Sequence, residues 1–206
     1  DKPFLEQFGK YIWGIVSQGD FGISYKTGKN VTSALLERFP TTFVLAIATC
    51  VIAMVLGVLL GILAANHQGT WIDSVLRVFG MAGVSMPIFW LGLLMILWFA
   101  VDLKWFPVSG WYGPKYLVLP ALTMGLTFTA SLMRTTRSSM LDCIRQDYVI
   151  TARAKGQKER VITYHHVFRN ALIPIITAAG SAFGIALCGA VITEQVFSIP
   201  GLGNLM

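Results

Sequence analysis

Long apolar runs without any charged residue dominate this chain. Four stretches meet or approach the roughly 20 residues that an α-helix needs to cross the hydrocarbon core of a bilayer, and they are 41–65, 78–101, 117–133 and 171–193. The runs are continuous, whereas the strands of a transmembrane barrel alternate apolar and polar residues. The pattern therefore predicts an all-α protein, a polytopic bundle with four transmembrane helices.

Proline and glycine interrupt these predicted helices. Pro87 lies inside the second run, where it removes a backbone hydrogen bond and clashes with the preceding turn, so we expect a kink there. Gly57 and Gly61 in the first run, and Gly180 and Gly184 in the last, form G-x-x-x-G pairs. Such pairs either let two helices approach closely or reflect the general abundance of glycine in membrane helices.

The composition is typical of a membrane protein, and the positions of the charged residues argue against a protein driven by an ion gradient. Only 13% of the residues are charged and 55% are hydrophobic, whereas soluble domains carry about 25% charged residues. No Asp, Glu, Lys, Arg or His lies well inside an apolar run. Proton- and ion-coupled carriers place such residues in the membrane, so their absence argues against a carrier of that kind. Transport by this chain would need energy from elsewhere.

Basic residues predict the orientation in the membrane. Cytoplasmic loops carry an excess of Lys and Arg, which also accounts for the net charge of +6 without nucleic-acid binding. Loops 66–77 and 134–170 together carry Arg77, Arg134, Arg137, Arg145, Arg153, Lys155, Lys158, Arg160 and Arg169. The opposite side carries Lys26, Lys29, Arg38, Lys104 and Lys115 near the membrane. Loops 66–77 and 134–170 are therefore predicted to be cytoplasmic, and segment 1–39 external.

The loop 134–170 is long and patterned, and it predicts two short helices. Asp147 is positioned to cap a helix over about 148–155, and Gly156 offers a C-terminal stop. A second helix is predicted over about 158–168. One side of it carries Val161, Ile162, His165 and Phe168. The resulting basic knob either lies on anionic lipid or docks into a groove on a partner protein.

Other candidate chemistry is sparse. Arg134 and Arg137 are expected to anchor the end of a span at the lipid headgroups. Adjacent residues on a helix point in different directions, so His165 and His166 are not expected to share a metal ion. The sequence lacks G-x-x-x-x-G-K-[ST], and at the nearest look-alike, Gly28-Lys29, the neighbouring residues do not fit. We expect no catalytic residue, no metal site and no cofactor in this chain.

Residues 147–156, D-Y-V-I-T-A-R-A-K-G, and 169–174, R-N-A-L-I-P, resemble the coupling-loop signature of ABC importer permeases of the peptide and nickel group. The general signature reads E-A-A, three residues, then Gly. With Gly156 as the glycine, Ile150 and Thr151 replace the Glu and the first Ala, as T-A-R-A-K-G does in that group. Further blocks that resemble the group are G-D-F-G-I-S at 19–24, R-F-P-T-T at 38–42, S-M-P-I-F-W-L-G at 85–92, L-P-A-L-T at 119–123 and E-Q-V-F-S-I-P-G-L-G at 194–203.

The resemblance implies a type I importer permease fold with one family span missing at each end, and a transmembrane domain over 40–206. It implies a bacterial inner-membrane location and several partners: ABC ATPase subunits that hold ATP and magnesium, a second homologous permease, an extracellular solute-binding protein and membrane lipid. It assigns coupling to the ATPase to seven residues: Asp147, Tyr148, Ala152, Arg153, Ala154, Lys155 and Gly156.

The sequence does not identify the substrate. Di- and oligopeptides fit the resemblance best, and nickel or another metal chelate and glutathione are alternatives; no substrate-binding residue can be named from the sequence. Two other classes are a membrane-embedded enzyme, for which the spans offer only Ser, Thr and Cys, and a lipid-binding membrane scaffold.

Overall fold

A computed structural model describes residues 3–25 and 28–205, so that Lys26 and the final Met206 lie outside the described residues. The described residues are nearly all helical. The helices are α1 (Phe4–Gln18), α2 (Val31–Asn66), α3 (Trp71–Ser85), α4 (Ile88–Met95), α5 (Pro114–Ile144), α6 (Asp147–Ala154), α7 (Glu159–Val161), α8 (Phe168–Gly189) and α9 (Val191–Val196). Two π-helical segments extend them: Ile96–Asp102 continues α4, and Ile162–Val167 joins α7 to α8. A 3₁₀ turn follows at Gly203–Leu205.

The all-α fold is confirmed, with three continuous spans and one broken one. Three helices are long and apolar enough to cross a membrane: Val31–Asn66, Pro114–Ile144 and Glu159–Cys188. The remaining predicted span, 78–101, is divided between Trp71–Ser85 and Ile88–Asp102. Taken together, these two helices are also long and apolar enough to cross a membrane, but the chain bends by 102° between them. The predicted kink is a full break. Pro87 has no N–H to donate, and it holds Met86 in the extended region (ψ 127°), which ends α3.

The first span begins earlier than its apolar run suggests. Helix α2 starts at Val31, and the side chain of Asn30 caps it by accepting a hydrogen bond from the Ser33 N–H at 3.3 Å. Pro40 is accommodated inside the helix. Polar first turns thus precede the apolar residues in one continuous helix, because the cap and not the hydropathy decides where the helix starts.

Helices α2 and α5 approach each other closely at one of the two glycine pairs. A Cβ built on Gly61 would lie 2.5 Å from the Thr136 Cβ, and one on Gly57 would also contact α5 inside normal distances. Of the two alternatives left open by the sequence, close approach of the helices holds for this pair. Nothing lies within 4 Å of a Cβ built on Gly180 or Gly184, so the second pair faces outward from the chain.

The apolar core has two parts, one towards each end of the bundle. The first holds the loop helices against α2, α5 and α8, and includes Ile62, Ala65, Leu132, Met140, Leu141, Val149, Ala152, Ile162, Val167, Ala171, Ile175 and Ala179. The second holds the C-terminal segment against α2 and α5, and includes Leu45, Ala46, Ala100, Leu119, Ala121, Met124, Ala186, Ala190, Phe197 and Ile199.

Polar contacts between distant residues define which loops share an end. Asp73 binds Arg137, so loops 66–77 and 134–170 lie at the same end of the bundle. At the other end, Thr42 binds Glu194, and the Gly110 N–H donates to the Phe197 carbonyl at 2.9 Å. This arrangement is the one that four membrane crossings require.

Candidate functional site

Helix α6 has the length that the sequence predicts but a different cap. It spans Asp147–Ala154, and Gln146, in an extended conformation, is its N-cap residue. The prediction that Asp147 caps the helix is therefore wrong. Its carboxylate lies instead in the first turn, where it interacts favourably with the helix dipole. Gly156 adopts φ +74° and its N–H donates to the Arg153 carbonyl at 2.9 Å, so the predicted glycine stop is confirmed.

One face of α6 is attached to the core of the bundle. Val149 is fully buried and Ala152 is 6% exposed, and both belong to the first core cluster. These two residues are three positions apart and therefore lie on the same side of the helix. Ala152 thus faces its own chain, and six of the seven predicted coupling residues remain on the outer surface of the knob.

The outer surface of α6 presents both signs of charge next to a shallow groove. The exposed coupling residues are Asp147, Tyr148, Arg153, Ala154, Lys155 and Gly156. A groove of about 320 Å³ runs between α6 and the following segment, lined by Tyr148, Thr151, Ala152, Lys155, Gln157 and His166. Partial burial, together with the neighbouring Cys143, raises the pKa of the Tyr148 hydroxyl.

An ion pair closes the turn that follows α6. Arg153 donates to Glu159 through Nε at 2.8 Å and through Nη2 at 3.3 Å, and this hydrogen-bonded pairing raises the pKa of Arg153. The pair is solvent-exposed, so it adds little to stability, but its two bonds orient the arginine towards α7. Lys155 has no acidic partner in the described part of the chain. Of these two basic coupling residues, Lys155 is thus the one available to another protein.

The second loop helix differs from its predicted form. It continues through the π-helical segment into α8, and the buried residues are Ile162 and Val167. Phe168 is partly buried against the first core cluster, as predicted together with Ile162, whereas Val161 and His165 are exposed, so half of the predicted face is wrong. In a π-helix the hydrogen bonds join residues five apart, and residues 162 and 167 therefore share a side. Ordinary helical periodicity does not anticipate that pairing.

Arg137 also differs from its predicted role. Its Nε and Nη2 donate to the two carboxylate oxygens of Asp73 at 2.6 and 2.8 Å. Asp73 is 1% exposed and also accepts from the Gly69 N–H at 3.1 Å. Arg137 is thus an internal link between α3 and α5, and the prediction of a headgroup anchor is wrong for it. Arg134, one turn earlier, is exposed, and its predicted role is untested.

A buried acid that was not predicted from the sequence, Glu194, lies at the opposite end of the bundle. Glu194 is fully buried, and it accepts hydrogen bonds from the Thr42 hydroxyl at 2.5 Å, the Gly203 N–H at 2.7 Å and the Asn204 N–H at 3.2 Å. A Cβ on Gly201 would collide with the carboxylate. The sequence does contain an indication of this site. Glu194 directly follows an uncharged run, and the P-G-L-G at 200–203 contains glycines that allow backbone N–H groups to approach the carboxylate.

Comparison with known proteins agrees with this architecture. Residues 57–206 match the family described as "Binding-protein-dependent transport system inner membrane component". The chain is 40% identical to the glutathione transport system permease protein GsiC of Escherichia coli K12, covering 100% of this chain and 67% of that protein. It is 37% identical to a putative peptide transport system permease of Brucella abortus (strain 2308), covering 100% and 68%.

A solved structure shares the fold. The crystal structure of an amino acid ABC transporter with histidines superposes with a TM-score of 0.61, at 16% identity, over 84% of this chain and 76% of that chain. At this identity the likeness concerns the fold alone, and the family follows from the sequence matches. The chain belongs to the family of binding-protein-dependent transport system inner membrane components, the permeases of ABC importers.

Proposed function

We propose that this permease carries peptides across a bacterial inner membrane, driven by separate ABC ATPase subunits that grip α6 and the turn after it. Those subunits bind ATP and Mg²⁺ and hydrolyse the nucleotide. A second, homologous permease completes the pathway, and a solute-binding protein delivers the substrate from outside.

The geometry of α6 carries this proposal. The helix is held to the core on one face by Val149 and Ala152, while its opposite face and the Gly156 turn project from the bundle. An attached helix with a free outer face fits a groove on a partner, and movement of the partner then moves the bundle. Lys155, exposed and without an acidic partner within the described residues, is the proposed contact to an acidic group on the ATPase.

The proposed orientation places α6 in the cytoplasm, where ATP is available. Loops 66–77 and 134–170 carry most of the basic residues and meet at one end through Asp73 and Arg137. By the positive-inside rule that end is cytoplasmic. The loop at 194–205, held by Glu194, then lies on the external side, where the binding protein docks.

The substrate class is drawn from the relatives. One relative is named for peptide transport and another for glutathione, itself a tripeptide. Short peptides are therefore the proposed cargo, with glutathione as the specific alternative; a nickel or other metal chelate is the remaining one.

Substitutions on the outer face of α6 test the coupling. We expect Lys155→Glu and Ala154→Asp to abolish peptide-dependent ATP hydrolysis by the assembled importer and to reduce co-purification of the ATPase, with the permease still in the membrane. Lys115→Glu makes the same charge change at the opposite end and serves as the control. Normal uptake and normal ATPase recovery in both α6 variants would refute the proposed contact.

A competition experiment tests the cargo. Uptake of a labelled dipeptide by cells that depend on this importer is measured with excess glutathione, unlabelled tripeptide or nickel chelate. We expect the unlabelled tripeptide to suppress uptake. Suppression by nickel chelate alone would replace the peptide assignment with a metal one.

A further inference from the structure

A cavity at the proposed cytoplasmic end opens between α2, α3 and α5 and takes no part in the coupling surface. Its volume is about 530 Å³. The residues that line it are Ala64, Ser74, Arg77, Val78, Gly80, Met81, Ala130, Met133, Arg134 and Arg137. Three arginines thus meet apolar side chains in one space, a combination that suits an amphipathic ligand with a negative group.

The cavity has an excess of positive charge. Asp73 is the acid that faces these arginines, and its two oxygens are occupied by Arg137 at 2.6 and 2.8 Å. Arg77 lies farther from the same carboxylate, at 3.8 Å, and donates to the Ser74 hydroxyl. Arg134 forms no ion pair with any described residue. One carboxylate therefore faces three guanidinium groups, and two positive charges remain uncompensated.

The apolar wall of the cavity continues onto the outer surface of the bundle. Val78 and Met81 on α3 are 60% and 61% exposed, so the apolar wall reaches the surface of the chain. On the inner side, Met133 fills the gap left by Gly80, where a Cβ would come within 2.5 Å of the Met133 Cε. An acyl chain can therefore leave the cavity along α3 while its headgroup stays at the arginines.

Guanidinium groups bind phosphate through paired, charge-assisted hydrogen bonds, more strongly than neutral donors do. A phosphodiester held between Arg77 and Arg134 would neutralise part of the excess positive charge, and the acyl chains of the same lipid would cover the apolar wall of the cavity. We propose that this cavity is a binding site for one anionic phospholipid of the cytoplasmic leaflet. The site is separate from the coupling surface and does not depend on what the importer carries.

Lipid binding to the assembled importer tests this site directly. The purified complex in mild detergent is titrated with phosphatidylglycerol, and bound lipid is counted by native mass spectrometry. We expect the double variant Arg77→Gln/Arg134→Gln to bind phosphatidylglycerol about a hundredfold more weakly, the loss of two charge-assisted contacts at roughly tenfold each. Arg169→Gln, an exposed arginine outside the cavity, is the matched control and should bind as the unaltered complex does.

Three outcomes would overturn the proposal. The first is equal phosphatidylglycerol binding by the double variant, whose folding is checked by an unchanged melting temperature. The second is displacement of the lipid by millimolar inorganic phosphate, which would identify a site for the free ion. The third is efficient crosslinking of the Met81→Cys variant to the second permease, which would mean that protein fills the cavity.

Discussion

The contact between α2 and α5 at Gly61 leads to a quantitative prediction for Gly61→Ala. The added Cβ would lie 2.5 Å from the Thr136 Cβ and 2.8 Å from the Met133 carbonyl oxygen, whereas ordinary contacts of this kind are 3.4–4 Å. Thr136 is fully buried and the carbonyl belongs to the helix backbone, so neither can rotate away. The two helices must separate by about 1 Å, and overpacking of this kind costs about 1–3 kcal/mol.

Gly180→Ala is the matched control because it makes the same substitution where no atom lies within 4 Å. Alanine favours a helix over glycine by about 1 kcal/mol in both places, so this term cancels between the variants. We expect Gly61→Ala to be less stable than Gly180→Ala by about 1–3 kcal/mol, a difference of several degrees at about 2–4 °C per kcal/mol for a chain of this size.

The assay is thermal unfolding of the purified permease in detergent, followed by circular dichroism, with size-exclusion chromatography to show that both variants are monodisperse. Equal melting temperatures for the two variants would refute the reasoning, because the close approach of α2 and α5 would then not limit stability. A lower melting temperature for Gly180→Ala than for Gly61→Ala would refute it more strongly.

Two polar links give further predictions. Glu194→Ala removes the carboxylate oxygen to which the Gly203 and Asn204 N–H groups donate, so each loses its acceptor at about 1–3 kcal/mol, and limited proteolysis should cut the 198–205 loop faster; an unchanged cleavage rate would contradict this. Asp73→Asn leaves Arg137 without its charged partner and should destabilise the permease by about 3 kcal/mol in a detergent melt. Replacing both Asp73 and Arg137 with apolar residues should restore much of that loss, and no recovery would show that the charge pair itself is not the cause.

Helix ends and breaks could be predicted from the sequence because each depends on a few neighbouring residues. Pro87 breaks the second span through its missing N–H, and Gly156 ends α6 through its positive φ. The cap of α6 escaped the prediction because Gln146 takes the extended conformation without offering a side-chain bond, whereas Asp147, the better capping residue by type, lies one position inside the helix. Residue type alone does not decide between two adjacent positions.

Long-range polar contacts could not be predicted in the same way. Thr42 and Glu194 are 152 positions apart, and Asp73 and Arg137 are 64 apart, so no periodicity connects them. Arg137 was expected at the headgroups because a basic residue at a helix end usually lies there, but a buried carboxylate on the adjacent helix provides a closer partner. Only the packing of the helices shows which of these partners is within reach.

The backbone from Glu159 to Gly189 is continuous, with α7, the π-helical segment and α8 following one another without a loop. The 22 residues of α8 alone extend about 33 Å, enough to cross the hydrocarbon layer. A force applied at α7, which Arg153 ties to α6, therefore acts on one end of a stiff rod whose other end lies across the bilayer. Such a rod tilts as a lever, and it can bend at two places, the π-helical segment Ile162–Val167 and Pro174 inside α8.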